Sequence, residues 1–148
     1  MKVLLINGSP HAEGCTYTAL SLVAGELNAA GIETEILNVG TQPVGGCIGC
    51  GGCASGSGCV FGGVVNEAIE KAKTADGFVF GSPVHYASAS GNMTSFMDRL
   101  SYAGGKYLAY KPAAICCSAR RAGTTTTLDQ LVKYPQFFHM PLVNGSYW

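Results

Sequence analysis

The sequence predicts an α/β fold built on a doubly wound, five-stranded parallel sheet. Two observations carry this. Short apolar runs suited to buried strands alternate along the chain with segments of helical apolar spacing, and no internal repeat interrupts them. Charged residues make up only 12% of the chain against 47% apolar, which suits strands covered on both faces. At 148 residues the whole chain, 1–148, is expected to form one domain.

Lys2–Asn7 (KVLLIN) is the first expected strand, stopped by Gly8, Ser9 and Pro10. Leu20, Val23, Ala24 and Leu27 recur at helical spacing and predict a helix from about Thr16 to Ala30, closed by Gly31. Glu33–Val39 is a second strand, and its polar start places it at a sheet edge. A glycine-rich cysteine loop follows. Val65, Ala68, Ile69 and Ala72 mark the second helix, and Gly77–Gly81 the third strand, expected to end at Ser82-Pro83. Met93, Phe96, Met97 and Leu100 give a third helix behind Ser90 as its N-cap, with Asp98 and Arg99 expected to pair near its end. Ala113–Cys117 is the fourth strand. Its Cys116 and Cys117 point to opposite faces and are expected to pack as small apolar side chains. Leu128, Leu131 and Val132 define a short helix stopped by Pro135, and Met140–Val143 is the fifth strand.

Several function classes are disfavoured. Nine basic residues balance nine acidic ones with no basic run, so neither nucleic acid nor an anionic membrane surface is an expected partner. The N-terminus lacks a signal-peptide core, and no stretch nears the ~20 apolar residues of a membrane span, so a cytoplasmic location is expected. In such a reducing compartment seven cysteines do not suggest a disulfide framework. No Ser/His/Asp arrangement suggests a hydrolase.

Right-handed crossovers bring Gly8–Cys15, Ser82–Ser90 and Ser118–Thr124 to one sheet edge, where folds of this kind bind ligands. GSPHAEGCT (Gly8–Thr16) leaves a strand and opens a helix whose N–H groups suit a phosphate, with Ser9, Thr16 and Thr18 adding hydroxyls. It lacks both the G-x-G-x-x-G spacing of dinucleotide folds and the lysine of a nucleoside triphosphate loop. The two remaining readings are a monophosphate ester held by neutral donors and a plain helix cap.

NGSPHAEGCT, GSPVHYASASGNMTSFMDR and SARRAGTTTTLDQL together resemble the flavodoxin-like NAD(P)H-dependent FMN reductases, close to the iron–sulfur flavoproteins. The resemblance covers nearly the whole chain. It implies a flavodoxin-like sheet of order 2-1-3-4-5 whose final helix is lacking, and hence a homodimer or tetramer with Phe137, Phe138, Tyr147 and Trp148 as candidates for buried contact; the alternative is that the sequence is a truncated piece of a longer chain. It further implies an FMN phosphate on Ser9, His11, Cys15, Thr16 and Tyr17, with His11 where relatives often carry arginine. The flavin ring would lie against Pro83, Val84, His85 and Tyr86, with Ser118, Arg120 and Gly123 closing the far side. The implied activity is transfer of hydride from NAD(P)H to a quinone, nitro or azo compound, metal ion or flavin; the alternative is an electron carrier between protein partners. His85 either polarises the flavin or only packs on it, and Tyr86 fits a stacking face better than a proton donor. Arg120 could receive a flavin carbonyl or nicotinamide phosphates, while Arg121 fits an ordinary solvated side chain.

Cys47, Cys50, Cys53 and Cys59 follow C-x2-C-x2-C-x5-C, close to the ferredoxin run and unlike the paired, widely spaced knuckles of structural zinc. Nine glycines between Gly45 and Gly63 would let this backbone curl and aim N–H groups at sulfur. Iron–sulfur flavoproteins resemble this loop, and there four thiolates bind a four-iron cluster beside the flavin. Two readings remain: a cluster site, or a glycine-rich wall of the substrate pocket.

Overall fold

The computed structural model describes residues 1–145, so Tyr147 and Trp148 lie outside the described residues. The elements run β1 (Lys2–Asn7), α1 (Cys15–Ala29), β2 (Glu33–Asn38), α2 (Val64–Thr74), β3 (Gly77–His85), β4 (Ser88–Ala89), α3 (Gly91–Gly104), β5 (Ala113–Ser118) and α4 (Thr124–Phe137). β1 pairs in parallel with β2 and β3, and β3 pairs in parallel with β5. The expected α/β parallel sheet is therefore present, in the order β2-β1-β3-β5. β2 occupies an edge, as its polar start predicted. There Lys2 bridges Glu33 and Glu35, and Lys71 from α2 also reaches Glu35.

Three elements depart from expectation. β3 runs through Pro83 to His85 and returns as β4 in an antiparallel hairpin. Pro83 faces Ser118 at the last register of the β3–β5 ladder, where a missing donor is tolerated. The expected fifth strand is reduced to one parallel bridge, Ala113 with Leu142. The Ala113 N–H bonds the Pro141 carbonyl and the Val143 N–H bonds Ala113, but Pro141 itself has no donor to extend the ladder. The order thus differs from 2-1-3-4-5 by that reduction and by β4 attaching to β3. Finally, α4 begins at Thr124 and carries Pro135 inside its last turn. Pro135 forfeits one bond, to Leu131, and both residues are buried, so packing holds the turn.

The two sheet faces are unequally covered. Leu4, Ile6, Phe78 and Phe80 meet α2, α3 and α4 in one cluster, through Val65, Ile69, Met93, Phe96 and Leu131 among others. On the opposite face Leu5 and Val79 meet Leu20 and Ala24 of α1, which is the one helix of that cluster among the described residues. Beside α1 lies an apolar hollow of about 290 Å³ whose lining includes Val3, Val23, Leu27, Val79, Ala114 and Val143. Cys116 packs on this α1 side, and burial pushes its thiol up to about 11, in line with the packing role expected of it. Among the described residues no helix is long and apolar enough to cross a membrane.

Candidate functional site

The three expected loops meet at the C-terminal edge of the sheet and are tied there by hydrogen bonds. Gly8 follows β1 and donates its N–H to the Gly81 carbonyl at 2.8 Å. Ser90, buried before α3, donates its hydroxyl to the Gly8 carbonyl at 2.7 Å. The same oxygen accepts the Met93 N–H at 3.3 Å, so Ser90 is the N-cap the sequence predicted. The Ser90 N–H bonds Ser82 Oγ at 3.0 Å. Thr16 and Ser118 share a hydroxyl–hydroxyl bond of 2.8 Å, joining the first loop to the third. Asn7, fully buried, bonds the Ala12 carbonyl at 3.3 Å and Asn38 Oδ1 at 2.8 Å, and accepts the Ser9 N–H at 3.1 Å. Space is tight: a Cβ on Gly8 would lie 2.7 Å from Met93 Sδ.

The helix end inside this frame is open. Gly14 caps α1 without any side-chain bond, and the first turn carries no acidic residue. The leading N–H groups of α1 thus face outward with their partial positive charge. Around them stand buried Ser9 and Thr16, half-buried Tyr17, and exposed His11 and Cys15; the Ser9 hydroxyl accepts the His11 N–H at 3.1 Å. An uncapped helix N-terminus beside neutral hydroxyls fits a phosphate monoester. For FMN the residues present therefore fit.

Beside this cradle the β3–β4 hairpin turns on Tyr86 and Ala87, with φ of 51° and 59°. Two positive-φ residues joining His85 to its partner Ser88 have the character of a type I′ turn, made here without glycine or asparagine. Left-handed backbone costs roughly 1–2 kcal/mol for each such residue, so the surroundings must hold it. Gln130 of α4 does so, accepting from the Ser88 hydroxyl at 2.7 Å and the Ala89 N–H at 3.0 Å. Gly123 (φ +93°) presses on the same hairpin, since a Cβ there would lie 2.6 Å from Ala87 Cα and 3.0 Å from Val84 Cγ1. Pro83 and Val84 are half-buried, His85 and Tyr86 exposed, and Arg120 and Arg121 exposed at the β5–α4 loop. The structure thus joins Thr16 to Ser118 and Val84 to Gly123, and leaves His85, Tyr86 and Arg120 at the rim. Asn7, Ser82 and Gln130 hold this frame together, a role that the sequence motifs do not assign to them. A buried asparagine at the exit of an apolar strand was the available signal.

Cys47, Cys50, Cys53 and Cys59 all line one hollow of about 250 Å³, together with Arg99 and Tyr102. Gly51 and Gly56, both left-handed, bracket the short 3-10 turn that carries Cys53. All four cysteines are free thiols. Four sulfurs and no carboxylate around one hollow fit soft-metal or cluster chemistry. The fit is one of donor chemistry and shared lining: among the described residues no group of three His, Cys, Asp or Glu is placed so that it could hold a metal ion. Asn66 grips Cys59 twice, accepting its N–H at 2.8 Å and donating to its carbonyl at 3.0 Å. Asn92 fixes the other end of the segment through Gly40, Gln42 and Val44.

The expected Asp98–Arg99 pair does not form. Neighbours in a helix point apart; Asp98 accepts the Tyr134 hydroxyl at 2.6 Å, and Arg99 turns into the cysteine loop. Its Nε donates to Cys59 Sγ at 3.2 Å, Nη1 to the Gly45 carbonyl at 3.4 Å, and Nη2 to the Gly62 carbonyl at 2.9 Å. The sulfur bond expected from backbone amides comes, among the described residues, from this guanidinium.

The model of the NADPH-dependent FMN reductase family matches residues 1–148. The iron–sulfur flavoprotein MJ1083 of Methanocaldococcus jannaschii is 34% identical over 149 residues, covering 99% of this chain and 77% of that one. An iron–sulfur flavoprotein of Archaeoglobus fulgidus is 30% identical over 100 residues, 68% of this chain and 46% of its own length. The chain therefore spans about half of that relative. Among solved structures, the apo form of the NADH:FMN oxidoreductase EMOB superposes with a TM-score of 0.73 at 18% identity, over 97% of this chain and 72% of that one. That likeness bears on the fold, which is the flavodoxin-like arrangement the sequence resemblance implied. With a family match along its full length, this chain belongs to the NADPH-dependent FMN reductase family.

Proposed function

We propose that the protein is an FMN-dependent oxidoreductase that passes reducing equivalents from NAD(P)H to a small acceptor of the quinone, nitro, azo, metal-ion or flavin class. The observation that carries this reading is the open N-terminus of α1 inside a frame of three hydroxyl-tied loops. FMN, when bound, supplies the acceptance of hydride and its release as electrons.

The chain's own part is positioning. Ser9, His11, Cys15, Thr16 and Tyr17 stand around the helix end that would take the phosphate. Pro83, Val84 and His85 offer an extended wall for the ring at the end of β3, and Tyr86 stands in the left-handed turn beyond them, in a hairpin braced by Gln130. Ser118, Arg120 and Gly123 border the far side, with exposed Arg120 free to meet a ring carbonyl or a nicotinamide phosphate. Phe137, exposed at the end of α4, and Phe138 beside it fit a contact between copies in a homodimer or tetramer. A reducing, cytoplasmic compartment suits seven free thiols.

A second reading, an electron carrier holding a four-iron cluster, is favoured by Cys47, Cys50, Cys53 and Cys59 sharing one hollow. The names of the relatives point the same way. An absorption spectrum after incubation with FMN tests the common ground, and protein that stays colourless defeats both readings. Steady-state oxidation of NADPH and NADH with a quinone then separates them: turnover supports the oxidoreductase, and a flavin-loaded protein that oxidises neither supports the carrier.

A further inference from the structure

We propose that Arg99 is a positioning residue for the four-cysteine loop. It locks the two ends of the loop together and supplies the buried positive charge that offsets a negatively charged, thiolate-bound group in the hollow. The inference rests on the reading that this loop carries an iron–sulfur cluster.

Arg99 is only 7% exposed. A guanidinium stays charged in proteins, and taking a charge out of water costs several kcal/mol unless another charge or a full set of hydrogen bonds offsets it. Among the described residues no carboxylate comes within ion-pair distance of it, and its neighbour Asp98 is engaged with Tyr134. What it does meet are the carbonyls of Gly45 and Gly62 and the sulfur of Cys59. The two carbonyls flank the segment Cys47–Cys59, and the sulfur is that segment's last cysteine. The remaining face of the guanidinium lies 5.6 Å from the Phe61 ring centroid, so it is shielded from water there as well.

A tie between two carbonyls would close the loop with any long donor. The third bond, to a cysteine that is a candidate ligand, and the absence of a carboxylate distinguish this arrangement. A four-thiolate cluster is anionic and becomes more so on reduction, so a fixed cation beside it favours the reduced form. The rigid fork also spans three acceptors that a lysine ammonium, a point charge on a flexible stem, cannot hold together. Charge and span therefore give separable signatures.

The test uses the full chain, reconstituted anaerobically with iron and sulfide, as wild type, R99K and R99Q. Dithionite titration followed by visible bleaching should show the R99Q cluster harder to reduce by tenfold or more in its equilibrium constant, ~59 mV for one electron. R99K should keep a near-wild-type midpoint yet lose iron to a chelator several-fold faster. In iron-free protein, thermolysin should cut within residues 45–62 several-fold faster in both variants. Loaded wild type with R99Q unchanged in midpoint and chelator resistance overturns the role of Arg99 alone. If R99Q fails to fold, an R99K chelator half-life equal to wild type overturns it equally. Wild type holding fewer than one iron per chain overturns the cluster reading and this inference together.

Discussion

Replacing Ser90 by alanine tests whether the frame proposed for the flavin is one connected unit. The Ser90 hydroxyl serves two groups at once, capping α3 through the Met93 N–H and donating to the buried Gly8 carbonyl at 2.7 Å. Loss of an N-cap costs about 1 kcal/mol. A buried carbonyl left without its donor costs about 1–3 kcal/mol. Because one side chain serves both, about 2–3 kcal/mol is expected rather than the sum of the extremes. At 2–4 °C per kcal/mol for a chain near this size, S90A should melt about 5–10 °C below the parent. Gly8 opens the loop that leads to α1, so part of the loss must be restored when the phosphate binds. If half is, the FMN dissociation constant rises about tenfold. The assays are thermal unfolding by circular dichroism and quenching of FMN fluorescence. S90T, which keeps the hydroxyl, should recover most of both effects. An S90A protein melting within 2 °C of the parent and binding FMN equally well would refute the reasoning.

Three further outcomes are expected. Gly123→Ala puts a Cβ against Ala87 Cα in a left-handed residue, so it should cost about 2 kcal/mol or more in urea unfolding and weaken FMN binding; an unchanged midpoint would mean the hairpin yields freely. Cys116, whose thiol burial raises to about 11 from 9.0, should resist iodoacetamide at pH 8 while exposed Cys15, Cys47 and Cys50 react. Because the folded state holds that proton more tightly, its contribution to stability is full below about pH 9 and lost as pH rises toward 11. C116A should therefore lose less stability than the parent between pH 8 and 10.5, and equal losses would contradict the assignment.

The parts of the fold that were legible in the sequence are those where one face of a regular element is apolar. β1, α1, α2 and α3 follow such patterns, and each lies within about two residues of its expected start. Local rules misled where tertiary contacts overrode them. Proline at position 83 suggested a strand end, yet it falls at the last ladder position, and the hairpin beyond it turns on Tyr86-Ala87, a pair with no turn signature. Four consecutive threonines and Pro135 hid the true length of α4, which packing of buried Thr127, Leu131 and Pro135 sustains. At the site, the loops and their hydroxyl residues could be read because strand-to-helix loops share one sheet edge. Arg99 could not, because a helix pattern says which face is buried but not what a long side chain reaches from it.

The joints of the three-loop frame share one property: Asn7, Thr16, Ser82, Ser90, Ser118 and Gln130 are all uncharged. Such a frame has no member that gains or loses a proton across the neutral range, and no ion pair for salt to screen. Neither protonation nor salt therefore has a direct handle on these joints. A pH or salt dependence of turnover is then to be sought in what the frame holds or in the residues around it, not in the joints themselves. In this respect the joints behave as an inert support for whatever is mounted on them.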